Sequence, residues 1–227
     1  MKSIGELCRG DADTLAGYIS GEKRGGLPIS LLWIILGSSI YGASIGFWRS
    51  PLQALYVAVK FPMLILLTTL GNGMLNGITA QLLGAEMSFR ESLKSVFLSF
   101  SVSSIILGAV SPLTFFLVLS APAMNSESAK FAHTVVILSD VAVIAFAGTV
   151  ANLHLFRLLK KLNGNGMTAV KILFSWLAGN LLLGGQLSWI MRPFIGTPSA
   201  PVEFFRNNPL DGNFFETVWK LIMNLFI

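Results

Sequence analysis

Five runs of apolar residues are separated by short polar stretches rich in glycine, proline and basic side chains. A helix that crosses a bilayer needs about 20 predominantly apolar residues. The pattern predicts spans at about 29–48, 61–83, 93–119, 131–156 and 167–191, an all-α polytopic membrane bundle. Pro28 suits the first turn of the first span, and Trp48 with Arg49 suits an interfacial close. Before the second span, Lys60 and Pro62 predict an interfacial stretch, with the span proper from about Phe61. Pro112 predicts a kink in the third span. Ala121 to Ala123 and Asn125 to Ser128 make the next loop, and Asn163-Gly164-Asn165-Gly166 is a turn signal.

Both ends of the chain break this pattern. Residues 1–27 place Ile4, Leu7, Leu15, Ala16 and Ile19 among charged positions, interrupted by Gly5, Gly10 and Gly17. Such spacing fits an amphipathic helix at the membrane surface or a loosely ordered tail. Residues 192–227 begin with Arg192, Pro193, Gly196, Pro198 and Pro201, which predict an extended segment. From Asn213 onward Phe214, Phe215, Val218, Trp219, Leu221, Ile222 and Leu225 recur at helical spacing, over a length that favours an interfacial helix. No short apolar core with a small-residue cleavage site precedes the first span, which is expected to stay as an anchor.

Composition agrees with the pattern: 53% of the 227 residues are hydrophobic and 12% charged, against roughly 25% charged in soluble domains. Five spans with short loops use almost all of this length. A net charge of +5 comes from Lys and Arg scattered at segment ends rather than gathered in a stripe, which argues against a nucleic-acid partner. Residues 1–27 hold four of the sixteen basic residues, 84–94 two and 157–171 four, so the positive-inside rule predicts a cytoplasmic N-terminus. Cys8 is the single cysteine and has no disulfide partner in the chain.

Asp140 stands near the middle of the fourth apolar run. An ionisable group at membrane depth is costly and defaults to a functional hypothesis, with hydrogen-bonded packing as the plain alternative. His133 lies two turns earlier on nearly the same face, too far for a direct hydrogen bond. Asn72 and Asn76 share a face of the second span with Gly73 and Gly77, a small-xxx-small pattern that permits close contact. That face is the expected partner of Asp140, and Asn180 and Gln186 offer a similar amide-and-glycine face on the fifth span. Together Asp140, His133, Asn72, Asn76, Asn180 and Gln186 form a candidate intramembrane polar site.

A second candidate follows the fifth span. Trp189, Arg192, Pro193, Phe194, Phe204, Phe205 and Arg206 combine aromatics suited to headgroup depth with arginines that hold phosphate or carboxylate. The segment reads either as a docking or lipid-headgroup surface or as a cap on the bundle mouth.

Enzyme signatures are missing from the sequence: no GxSxG elbow, paired-histidine zinc motif, phosphate loop or dinucleotide fingerprint occurs. No catalytic residue, metal or cofactor is implied. Glu86, Glu91, Glu127 and Asp140 are too few in or beside the spans for a carboxylate metal cage.

The stretch Phe61 to Pro112, with Leu83-Gly84-Ala85-Glu86-Met87-Ser88-Phe89-Arg90-Glu91-Ser92-Leu93 between two spans, resembles the Ypt-interacting-protein (Yip) type of multi-pass membrane family over about a quarter of the chain. The resemblance implies a non-enzymatic membrane protein. The leading expectation is an accessory or scaffold protein of a bacterial inner membrane. Its partners would be the lipid bilayer, other membrane proteins and a second copy of itself. The alternative is a small transporter or ion- or proton-coupled subunit that uses Asp140.

Overall fold

A computed structural model describes residues 2–23, 25–122, 126, 128–196, 201–216 and 219. Seven helices are present among them: α1 Lys2–Arg9, α2 Ala12–Ser20, α3 Gly26–Gly46, α4 Pro51–Leu82, α5 Phe89–Ser120, α6 Ala129–Asn163 and α7 Gly166–Ile190. Helices α3 to α7 are the five expected spans, each long and apolar enough to cross a membrane, so the chain is an integral membrane protein with an all-α bundle. No strand occurs among the described residues.

Helix boundaries follow local chemistry. Ser50 caps α4 by accepting from Gln53 N at 3.1 Å, and Pro51 takes the first-turn position that needs no donor. A capping box starts α5: Ser88 Oγ accepts from Glu91 N, and Glu91 Oε2 accepts from Ser88 N at 2.7 Å. Gly164 adopts φ +64° to end α6, and Asn165 immediately caps α7. Two expectations change. The segment before Phe61 is not a separate interfacial stretch, because α4 runs unbroken from Pro51 through Pro62. The N-terminal segment is two short helices turned at Gly10, φ +63°. Of the expected C-terminal helix, 214–216 and 219 are helical, and the rest, with Val218, Leu221, Ile222 and Leu225, lies outside the described residues.

Helix α3 packs along both α4 and α5, α6 lies on α5, and α7 joins α4 to α6. The α3 contacts are very close. A Cβ on Gly37 would run into the Ser104 carbonyl of α5, and one on Gly42 would lie 2.6 Å from Val57 O of α4. One core cluster joins Ile34, Tyr41 and Ile45 of α3 to Val57, Phe61 and Ile65 of α4, with Phe97, Leu107 and Ala147.

The three basic segments meet at one end of the bundle. With 35 residues, α6 is about 52 Å long, well beyond a hydrocarbon core of about 30 Å. The N-terminal helices pack on its last turns and on α5. Leu7, Leu15 and Ile19 bury against Leu98, Val102, Ala151 and Leu158. Lys94 donates to Ile19 O at 2.7 Å, and Lys161 pairs with Asp13 at 2.7 Å. We call this the basic end; α3, α5 and α7 run away from it, and α4 and α6 run toward it.

Helix α2 carries a pH-dependent cap. The Thr14 hydroxyl and amide both donate to the Asp11 carboxylate, at 2.7 and 3.0 Å, and hold its pKa below the ordinary 3.8. A depressed carboxyl contributes stability above its unfolded pKa and loses it as pH falls through the lower folded value. The Thr14 amide resonance is therefore expected to titrate with a midpoint below 3.8. Asp11→Ala should abolish that titration and fray the first turn of α2; an unchanged profile would show the cap is not formed.

Candidate functional site

Asp140 is 4% exposed and accepts a hydrogen bond from the Tyr41 hydroxyl at 3.0 Å. Its second oxygen, Oδ2, has no hydrogen-bond partner among the described residues. Tyr41 is itself fully buried and edge-packed on Phe61, ring centroids 5.6 Å apart. The partner of Asp140 thus comes from α3, where the expectation had placed it on the amide face of α4.

The amide face serves another contact. Asn72 Nδ2 donates to Asn180 Oδ1 at 3.1 Å, and Trp176 Nε1 donates to the Asn76 backbone carbonyl at 2.8 Å, so both positions join α4 to α7, while Asn76 Nδ2 has no hydrogen-bond partner among the described residues. Gly179 lies beneath Asn72, while Gly73 and Gly77 receive Leu93 and Phe89 of α5. The six residues expected to form one polar site are divided among three places: Asp140 with Tyr41, the asparagines between α4 and α7, and His133 and Gln186 at the end opposite the basic one.

At that opposite end, the segment after α7 folds back onto its own bundle. Gln53 Nε2 donates to Pro193 O at 3.0 Å and to Phe194 O at 2.8 Å, and Lys60 Nζ donates to Pro193 O at 3.0 Å. Gln53 and Lys60 are two turns apart on one face of α4, and both are completely buried. No carboxylate lies within ion-pair distance of Lys60 among the described residues. Its ammonium instead faces the rings of Phe204, Phe205 and Phe194, at 4.9, 5.8 and 5.9 Å from their centroids. Lys60 was expected at the membrane surface. It turns inward because the returning segment brings a carbonyl and three rings to its head, giving an ammonium near the mouth a substitute for water.

The same segment reaches α6. His133 Nε2 makes a hydrogen bond of 2.8 Å with Gly196 O, and its ring lies 5.3 Å from that of Trp48. Ile195 packs against the cluster of Trp48, Val118, Ala132 and Val136, and the ring centroids of Phe194 and Phe61 lie 6.1 Å apart. Residues 193–196 therefore bridge α4 to α6 past the end of α3, fastened to α6 at His133, two turns from Asp140.

Trp189, Arg192 and Arg206 sit outside this bridge. Arg192 stacks on Trp189, 3.5 Å from the ring centroid, and donates to Trp189 O at 2.6 Å. Burial and the nearby Arg206 hold the Arg192 guanidinium below its ordinary pKa, with Asp211 opposing them. Trp189 Nε1 donates to Asp211 O at 3.1 Å, and Gln186 Oε1 accepts from Phe214 N at 3.3 Å. Of the docking candidates, Pro193, Phe194, Phe204 and Phe205 engage the bundle itself, in the manner of a cap.

Sequence reasoning missed Tyr41 and Gln53 and misplaced Lys60. A lysine and a glutamine seven residues apart, at the start of an apolar run, were a legible signal for a shared face. Nothing local marked Tyr41, whose partner is 99 residues away. Comparison with known protein families, curated proteins and solved structures found no match for this chain.

Proposed function

We propose that this integral membrane protein is a small ion- or proton-coupled membrane protein, acting without catalysis, in which Asp140 is the exchanging group. The observation that carries the reading is the state of its carboxylate: 4% exposed, one oxygen held by Tyr41, the other with no partner among the described residues. A bare buried polar atom costs about 1–3 kcal/mol, and Asp140 Oδ2 is in that state among the described residues, as are Gln53 Oε1 and Asn76 Nδ2. An oxygen left open suits a group whose occupancy changes. Asp140→Asn keeps an acceptor for Tyr41 and removes the exchangeable charge. Proteoliposomes with an internal pH dye are expected to show proton flux for the wild type and the rate of empty liposomes for Asp140→Asn. Equal flux from both proteins would sink the reading.

An accessory or scaffold role, with partner membrane proteins bound in a larger assembly, is the second reading. The outer face of α6 favours it: α6 and α7 are the least enclosed spans, and a Cβ on Gly148 meets nothing within 4 Å. The glycine faces of α4 and α7 and the post-α7 segment, which first suggested docking, are used inside the chain. A stoichiometric partner captured by crosslinking in native membranes, with no flux from the purified protein, would favour this second role. Membership of the Yip type, a bacterial inner membrane and a cytoplasmic basic end are proposed on sequence grounds alone.

A further inference from the structure

We infer that residues 193–196 close the access route to Asp140 from the end opposite the basic one, and that Lys60 and His133 are positioning residues that hold the closure at its two sides. The inference builds on the reading of Asp140 as the exchanging group.

Three contacts carry it. The bridge is fixed to α4 by Lys60 and Gln53 and to α6 by His133. Between those anchors Phe194 covers Phe61, and Phe61 covers Tyr41, the residue that holds Asp140. Ile195 packs against the cluster of Trp48, Val118, Ala132 and Val136, the last of which precedes Asp140 by one helical turn on α6. Two stacked apolar side chains, Phe194 and Phe61, therefore lie between the bridge and Tyr41, secured by polar contacts at the rim. Those polar contacts explain why α4 carries a completely buried lysine and glutamine near the mouth of an apolar bundle. An ammonium bound only to a backbone carbonyl and ring faces is a reversible fastening. It forms a charge-assisted hydrogen bond and cation–π contacts when the bridge is seated, and reaches water when the bridge lifts.

The test is chemical access to Asp140 in the full-length protein in nanodiscs. A water-soluble carbodiimide with an amine nucleophile modifies reachable carboxyls, and mass spectrometry reads the yield at Asp140 against Glu22 as an exposed reference. Wild-type Asp140 is expected to react slowly. Lys60→Met, which keeps the stem and removes the ammonium, should raise the rate about tenfold or more, the scale of one charge-assisted contact in an opening equilibrium. His133→Leu, at the other rim, should do the same, and it stands as the test if Lys60→Met does not fold. Leu159→Ala, a destabilising change in the cluster at the basic end, should leave Asp140 protected. Fast labelling of the wild type, or no increase in a folded rim variant, overturns the closure. So does an increase in Leu159→Ala equal to that in the rim variants. Labelling reads access and flux reads use, so altered labelling without any wild-type flux would retain the closure and remove the coupled function.

Discussion

Gly37→Leu is expected to prevent assembly of the bundle, the largest effect of any single substitution considered. A side chain there has nowhere to go: its Cβ would meet the Ser104 carbonyl, and a Cβ on the facing Gly108 would lie 2.9 Å from the Gly37 Cα. The two backbones touch, and neither is the far end of a flexible side chain. Overpacking a core costs typically about 1–3 kcal/mol when side chains can yield. Here α3 has to move off α5, and that shift drags Gly42 and Gly46 from α4, where Cβ atoms would lie 2.6 and 2.8 Å from the Val57 and Gln53 carbonyls. A loss above about 3 kcal/mol follows, seen as aggregation on purification or collapse of the unfolding midpoint in detergent. Gly148→Leu is the control, with open space at its Cβ and a better helix former in place. Equal stability of the two variants would refute close α3–α5 packing.

Tyr41→Phe is expected to cost about 1.5–3 kcal/mol, the range for a buried hydrogen bond to a charged group. Phenylalanine keeps the edge contact with Phe61, so the loss belongs to the hydroxyl, which leaves both Asp140 oxygens without a donor. A double-mutant cycle with Asp140→Ala, which removes the acceptor, isolates the pair, and a coupling of about 1–2 kcal/mol is expected between directly contacting groups. A coupling within a few tenths of a kcal/mol of zero would mean that Tyr41 and Asp140 do not meet. The same variant bears on function. If Tyr41 orients the carboxylate for exchange, flux falls in Tyr41→Phe even at temperatures where the protein stays folded.

Several of these features were open to reading and several were not. Five spans followed from run length, because the hydrocarbon thickness fixes how many apolar residues a helix must supply. The gathering of basic segments at one end followed from the same alternation, and α2 meeting Lys94 and Lys161 there is its structural form. Depth and facing were harder. A lysine near the start of an apolar run looks the same whether its head reaches outward to water or inward to Pro193 O, 133 residues later. Gly73, Gly77 and Gly179 announced close packing but not whose side chain would fill the space.

From its sequence alone, then, this protein is determined to be a five-span helical membrane bundle with a buried carboxylate in the fourth span. Those properties depend on composition and period along one segment at a time. Tertiary structure decided that Asp140 meets Tyr41 rather than the α4 asparagines, and that the post-α7 segment seats on Lys60, Gln53 and His133. These outcomes depend on how each helix is rotated about its own axis. Packing sets that rotation jointly for all five helices, through backbone contacts such as Gly37 against Gly108, and no segment carries it by itself.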